Sequence, residues 1–236
     1  MSRLVGMSRD INLDYLNKTI EVMNEVDDLE IVKSELKDYI SLHIDAKINV
    51  RKTVSILMNI WFLDSEKDRR IKEYARELVA KGRPETRLVA NWCMMLVTYG
   101  VFKDIANTIG KLEKMQLELT SRLVREKMLD LWGERTTLIH AIPKNIKTMR
   151  DIGVLESPGT GKYEVRKKDL KDPEAITLLV ATLIFLKDKL YLSMEELNDN
   201  EMMFPFKYHI DIGMLQESGM FSFDRFGGEM VISLAE

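Results

Sequence analysis

Cysteine and histidine are scarce in this sequence, which has one cysteine and three histidines among 236 residues. A single cysteine excludes an internal disulfide, and Cys93 lies within an apolar run, where a small buried residue of a reducing compartment is expected. The histidines at positions 43, 140 and 209 share no metal-ligand spacing with one another or with Cys93. The sequence therefore predicts no zinc site and no other metal or cofactor.

Catalytic motifs are also lacking. The sequence has no nucleophile elbow, no kinase signature and no dinucleotide-binding fingerprint. The segment 159–162 resembles the end of a phosphate-binding loop, but Glu156 stands where that motif needs its first glycine. Tyr163 stands where the motif needs a serine or threonine for magnesium. We interpret the segment as a turn and predict that the protein is not an enzyme.

Long hydrophobic runs are missing as well. The most apolar stretch, 176–186, ends at Lys187 and is far shorter than the roughly 20 residues of a membrane-spanning helix. The first ten residues, MSRLVGMSRD, lack the apolar centre of a signal peptide and are expected to form a loose lead-in. These features predict a cytoplasmic protein without a membrane partner.

Acidic and basic residues nearly balance over the whole chain, which carries a net charge of -3. This balance excludes a non-specific coat for nucleic acid, so any contact with nucleic acid must be local. Between Arg135 and Lys168, eight basic residues stand against three acidic ones, a local charge of +5 that leaves -8 for the rest of the chain. Basic character is therefore concentrated in one segment.

Helical periodicity dominates the first 115 residues, because apolar side chains recur every three or four positions. The segment 49–63 is apolar around more than half of its helical turn and is expected to be a core helix. Asn49 is expected to cap the start of this helix. Asp64 or Ser65 is expected to cap the start of the next helix. The pattern predicts a mainly α protein that begins with a helical bundle over residues 1–115.

Residues 116–170 are predicted to form a winged helix-turn-helix. One helix ends at Trp132, and a second begins at Thr136 or Thr137, either of which can cap it with a hydroxyl. Two alternating segments around the glycine-rich turn at 157–161 then predict the wing. The apolar face of the second helix is expected to contain Leu138, Ile142, Ile146 and Met149.

The opposite face of the second helix is polar and mostly basic, as in a DNA-recognition helix. Four side chains at its start would lie closest to base edges: Arg135, Thr136, Thr137 and His140. Three further along would contact the flanking phosphates: Lys144, Lys147 and Arg150. Basic residues of the wing would reach an adjacent backbone or the minor groove: Lys162, Arg166, Lys167 and Lys168.

Two alternatives to these assignments stay open. Pro143 would be unfavourable inside a helix, so the helix could begin there and shift the base contacts to Lys144, Asn145 and Lys147. His140 is equally consistent with an exposed residue that has no special role.

Residues 171–236 are predicted to form a helical unit that ends in a β-hairpin around Gly227 and Gly228. Helix start signals stand at 172–174 and at Ser193. The order of helix, glycine stop and two strands repeats that of the middle segment, which predicts tandem winged-helix-like units. The alternative is two unrelated hairpins that cap two helices. The second copy has few basic groups, so we expect it to pack on protein.

The chain also resembles a known family. The apolar helix around 92–99, the continuation VFKDIANTIG and the segment LWGERTTLIHAIPKNIKTMRDIGVLE make residues 50–165 similar to the BrxA family of BREX phage-defence systems. This resemblance implies a compact helical protein, similar to a transcription-antitermination bundle, with a DNA-binding surface and no catalytic site. It also implies a role as an accessory component of a multi-protein defence cassette.

Three function classes follow from the sequence. The leading hypothesis is a non-enzymatic protein that binds duplex DNA through the recognition helix and wing, with other defence-system proteins as further partners. The second is a protein interaction module, because winged helices often contact proteins and the acidic remainder of the chain could dock a basic partner. The third is an RNA-binding helical bundle.

Overall fold

The computed structural model describes residues 7–63, 65–187 and 189–235. Within these ranges the chain is mainly helical, with eleven α-helices and eight short strands. The predicted class of a mainly α protein is therefore confirmed.

Six helices make up the first half of the chain. They are α1 (Leu13–Glu25), α2 (Leu29–Ser41), α3 (Lys47–Phe62), α4 (Arg69–Ala80), α5 (Pro84–Thr98) and α6 (Gly100–Lys114). Helices α3 and α5 are the most apolar of the six, and their tryptophans Trp61 and Trp92 are completely buried. The Trp61 indole N–H donates to the side-chain oxygen of Asn91 over 3.2 Å, so the polar group of this buried ring has a partner within the core.

Two predicted caps in this half are wrong. Helix α3 begins two residues before Asn49, and the Asn49 side chain accepts hydrogen bonds from Arg9 instead. Ser65 does not cap α4, because its own N–H and hydroxyl both donate to the carboxylate of Asp68 at the start of that helix. Asp64, the alternative cap, lies outside the described residues.

The middle of the chain contains two helices and a small sheet. Its elements are β1 (Leu119–Thr120), α7 (Ser121–Trp132), α8 (Thr136–Asp151), β2 (Leu155–Gly159) and β3 (Lys162–Val165). The three strands are antiparallel, and β3 lies between β1 and β2. The Thr120 hydroxyl caps α7 by accepting from the Leu123 N–H over 3.2 Å.

The start of α8 differs from both expectations. Arg135 is its N-cap and makes no side-chain capping bond, so neither Thr136 nor Thr137 caps the helix. The helix also runs continuously through Pro143, which excludes a start at that proline. The proline is accommodated at an exposed position within the helix.

The last part of the chain combines one helix of 15 residues and shorter helices with two small sheets, a parallel pair of strands and a three-stranded sheet. Its elements are β4 (Lys168–Asp169), α9 (Pro173–Lys187), β5 (Leu192–Ser193), α10 (Met194–Asn198), the 3-10 turn η1 (Glu201–Met203), β6 (Phe206–Lys207), α11 (Ile212–Glu217), β7 (Phe221–Phe226) and β8 (Glu229–Leu234). Three predictions are confirmed. Asp172 accepts from the Ala175 N–H at the start of α9, Ser193 caps α10, and β7 and β8 form the hairpin around Gly227 and Gly228.

The two three-stranded sheets share strand order and register. The second sheet has the order β5-β8-β7, which matches β1-β3-β2 element for element. In the first sheet, Leu119 and Leu155 pair with central-strand residues 163 and 165. In the second sheet, Leu192 and Phe221 pair with 232 and 234. In both sheets the partners on the central strand are two residues apart, although β2–β3 has a register shift between Glu156 and Gly159 that β7–β8 lacks.

All three segments contribute to one hydrophobic cluster, which extends from Met7 to Ile232. The first and last segments approach each other closely at Gly110 on α6. A Cβ atom there would lie 2.0 Å from the backbone oxygen of Glu201 in η1. Beside this contact, the Trp92 indole donates to the Met202 carbonyl over 3.1 Å. Buried residues on both sides of the predicted boundaries at 115 and 170 thus belong to one cluster.

Candidate nucleic-acid interface

Helix α8 carries most of the predicted site, and its buried face is wider than expected. Leu138, Ile142, Ile146 and Met149 are buried, as predicted. Three more residues of the helix are buried beside them: Ala141, Asn145 and Thr148. The buried surface of α8 therefore extends into the polar, mostly basic face that was expected to be exposed.

The extra burial comes from the segment before α1, which packs along α8. The Ile11 N–H donates to the Thr148 hydroxyl over 2.8 Å, and the Asn145 amide donates to the Met7 carbonyl over 3.3 Å. Met7 and Ile11 are themselves buried. The expected loose lead-in is thus wrong for residues 7–10, while residues 1–6 lie outside the described residues. Asn145 does not reach a surface where it could contact bases.

Asp10 of this segment binds both lysines of α8. Its carboxylate lies 2.8 Å from the Lys144 ammonium and 2.7 Å from that of Lys147, which also pairs with Asp151 at 2.6 Å. Partial burial of Asp10 opposes its charge, but the hydrogen bonds from the two lysines prevail and lower its pKa to about 2. The same bonds, from Asp10 first and Asp151 second, raise the pKa of Lys147. One carboxylate thus pairs with both lysines of this face.

The beginning of α8 remains open. Four predicted base-contacting residues are exposed there: Arg135, Thr136, Thr137 and His140. Arg150 is exposed at the other end of the helix. Neither Arg135 nor Arg150 forms an ion pair with any residue that the structure describes. The guanidinium groups at the two ends of α8 are therefore available to an anionic ligand.

Most cations of the β2–β3 hairpin and its continuation pair with acids of the same chain. Lys162 lies 2.5 Å from Glu118, whose carboxylate raises the pKa of the lysine. Lys167 lies 3.0 Å from Glu113. Arg166 pairs with Glu156. Lys168 is exposed and has no ion-pair partner within the described ranges.

The local charge is consequently smaller than the sequence window indicates. Asp10, Glu113 and Glu118 lie outside the window 135–168 but contact its lysines. Adding these three charges lowers the local charge from +5 to +2. Sequence reasoning missed all three acids, because nothing in their local patterns indicates contact with residues 44 or more positions away. Only the folded chain brings them to the basic segment.

The equivalent region of the last segment is acidic. Around α11 and the β7–β8 hairpin, two cations and one histidine are exposed: Lys207, Arg225 and His209. Four exposed acids accompany them: Asp211, Glu217, Asp224 and Glu229. This excess of negative charge disfavours contact with phosphates.

Other chemistry finds little support in the described part of the chain. It contains no group of three or more His, Cys, Asp and Glu side chains that could hold a metal ion. Burial raises the pKa of the Cys93 thiol to about 12, so this residue is not a reactive nucleophile. No described helix has the length and apolar character that crossing a membrane would require.

Comparison with known proteins gives no relative. No family model, curated protein or solved structure matches this chain.

Proposed function

We propose that this protein binds duplex DNA through α8 and the β2–β3 hairpin, arranged as a winged helix-turn-helix. The observation that carries the proposal is the element order of the middle segment. Helix α6 is followed by β1, two helices and two strands, with the last strand central in the sheet, as a winged helix requires. The exposed polar turn at the start of α8 supports its use as the recognition helix.

The side chains that the fold leaves exposed along α8 determine which contacts with bases and phosphates this helix could make. Arg135, Thr136, Thr137 and His140 are exposed at the helix start, where a recognition helix meets base edges. Arg150 and Lys168 are the unpaired cations suited to phosphates. Lys144 and Lys147 would take part only by exchanging the Asp10 carboxylate for a phosphate. The local charge of about +2 predicts modest affinity and a shallow dependence on salt, because the log-log slope is about 0.9 per neutralised phosphate.

The last segment is proposed to be a second winged-helix-like unit that contacts protein. Its sheet has the order and register of the first, which favours a repeat over two unrelated hairpins. Its helix α11 has only six residues, and its surface is acidic, so it is poorly suited to the major groove. A basic partner protein suits this surface better than DNA.

The biological setting of the proposal rests on the resemblance to the BrxA family alone. It would make the protein a non-enzymatic accessory component of a phage-defence cassette. Association with other proteins of the cassette would then accompany DNA binding.

The proposal is tested by titrating the full chain into fluorescently labelled 20-base-pair duplex and measuring anisotropy at several salt concentrations. Replacing Arg150 and Lys168 together by alanine should weaken binding about tenfold and reduce the log-log salt slope by about 2. The matched control is R225A, an exposed arginine of the second unit, which should leave the affinity unchanged. Equal duplex affinity of the double variant and the wild type would reject this surface.

Single-stranded DNA and RNA of the same length separate the alternatives. Tighter binding to RNA than to duplex would favour the helical RNA-binding hypothesis. Absence of binding to all three nucleic acids would leave the interaction module as the surviving hypothesis.

A further inference from the structure

A wide groove lies between α2 and α3, far along the sequence from the proposed DNA interface. It has a volume of about 1120 Å³. Its apolar lining comes from Leu29, Ile44, Ile48, Val50, Val54 and Met58. Leu29 and Ile48 present apolar surface at the groove, because 48% and 59% of their surfaces are exposed. An apolar lining bordered by charged side chains can serve as an interaction site.

Basic side chains line the groove on both helices. Lys33 and Lys37 are one turn apart on α2, and Lys47 and Arg51 are one turn apart on α3. The acids in the lining are Glu30 and Asp45, so the lining carries a net charge of +2. Lys33 lies 3.4 Å from Glu30, a weak pair between exposed groups.

The other three cations of the groove lack acidic partners. Lys37, Lys47 and Arg51 form no ion pair with a residue in the described ranges. In contrast, the cations near α8 and β3 mostly pair with acids of this chain. The positive charge of these three side chains is thus not neutralised by described residues of the chain. A ligand that complements the groove must have both apolar and acidic groups.

Size and composition narrow the class of ligand. Small-molecule pockets hold about 300–1,000 Å³ and enclose most of their ligand, whereas this groove is larger and open. Its lining contains no aromatic side chain on which a nucleic-acid base could stack. Its walls are helices of 13 and 16 residues, about 20 and 24 Å long, which match a helix of three to four turns.

We propose that this groove binds an amphipathic helix of a partner protein, with an apolar stripe flanked by acidic residues. The stripe packs on Leu29, Ile48 and Met58, and the flanking carboxylates pair with Lys37, Lys47 and Arg51. This is the helix-in-groove mode of recognition, read through apolar anchors at i, i+4 and i+7. None of these residues belongs to the proposed DNA interface, so either proposal can fail without the other.

The probe is a fluorescein-labelled helical peptide of 18 residues, with leucines along one face and glutamates on both sides of that face. The full chain should bind this acidic peptide at least tenfold more tightly than a counterpart with lysine at every glutamate position. It should also bind it at least tenfold more tightly than a version with two central prolines, which cannot form the helix. Anisotropy titration measures all three affinities.

Charge reversal within the groove provides the decisive variant. K37E combined with R51E should weaken binding of the acidic peptide at least tenfold and strengthen binding of the lysine peptide. Tighter binding of the lysine peptide cannot result from unfolding of the variant. This result therefore distinguishes charge reversal from a loss of folding. The control is K52E, which reverses an exposed charge beside Arg51 that does not line the groove. It should change neither affinity more than twofold.

Several outcomes would overturn the proposal. They include equal affinity for the acidic and lysine peptides, an unchanged preference in the reversed variant, and absence of binding. Displacement of the acidic peptide by vesicles of phosphatidylglycerol, but not of phosphatidylcholine, would assign the groove to an anionic lipid surface instead. A dimer in sedimentation equilibrium that I48K abolishes would assign it to a second copy of the chain.

Discussion

Asp10 is the residue with the largest effect on the proposed DNA interface, because its carboxylate holds both Lys144 and Lys147. Replacing it by asparagine keeps the shape of the side chain and removes the charge that competes with phosphate. D10N should bind duplex about five- to tenfold more tightly at low salt, with a log-log salt slope steeper by about 1, because Lys147 keeps its pair with Asp151. D14N is the matched control, since Asp14 is exposed on α1 without a described ion-pair partner, and it should change the affinity little. A D10N affinity no higher than that of D14N would show that the two lysines do not reach phosphates.

The same carboxylate makes stability depend on pH. Its pKa is lowered to about 2 in the folded protein, so its charged form favours folding. This contribution is complete above the ordinary pKa near 4 and is lost as the pH falls from about 4 to about 2. After allowance for solvent screening it amounts to about 1 kcal/mol. Urea denaturation should therefore find wild type about 1 kcal/mol more stable than D10N at pH 7, with the difference shrinking below pH 4. A constant difference from pH 7 to pH 3 would contradict this assignment.

At the scale of single elements, the contact between α6 and η1 depends on Gly110, which has no side chain. A Cβ atom at Gly110 would lie 2.0 Å from the Glu201 backbone oxygen, so G110A must push η1 away from α6. We expect a loss of about 2 kcal/mol or more in the free energy of unfolding, measured by urea denaturation. Gly100 on the same helix is the control, because its added Cβ would meet the Trp132 ring at an ordinary 3.7 Å. G100A should be neutral or slightly stabilising, and similar values for both variants would count against the close approach.

Elements defined by local signals could be predicted from the sequence, whereas those that depend on distant partners could not. Ser193 was identifiable as a cap because its hydroxyl and Glu196 form a capping box within four residues. Thr136 has the right chemistry for a cap, yet it lies inside α8 because the preceding backbone places Arg135 at that position. Pro143 argues locally against a continuous helix, but the buried residues on both sides of it hold α8 together.

The same division holds for the candidate site. The basic stripe of α8 and the glycine-tipped hairpin follow from residue spacing alone, and the structure contains both elements. Residue spacing does not predict the ion pairs of Lys144, Lys147 and Lys162. Their acidic partners lie 44 to 137 positions away and are brought close by tertiary packing. Charge counted along a sequence window therefore overstates the field that a ligand meets. The groove between α2 and α3 was missed for the same reason, since it exists only where two helices meet.

At the scale of the whole molecule, the shared hydrophobic cluster predicts a single cooperative unfolding transition rather than three. Met7, Trp92 and Ile232 belong to one continuous core, and η1 packs directly on α6. Loss of the last segment would expose Trp92, whose ring edges contact Phe204 and Phe206. Urea unfolding followed by far-ultraviolet circular dichroism and by tryptophan fluorescence should therefore give coincident curves. Because the three tryptophans lie on α3, α5 and α7, whereas circular dichroism reports all helices, separate midpoints would reveal independent units.

Removing residues 171–236 should abolish the cooperative transition of the remainder, whereas an intact transition in that fragment would establish a separate N-terminal core.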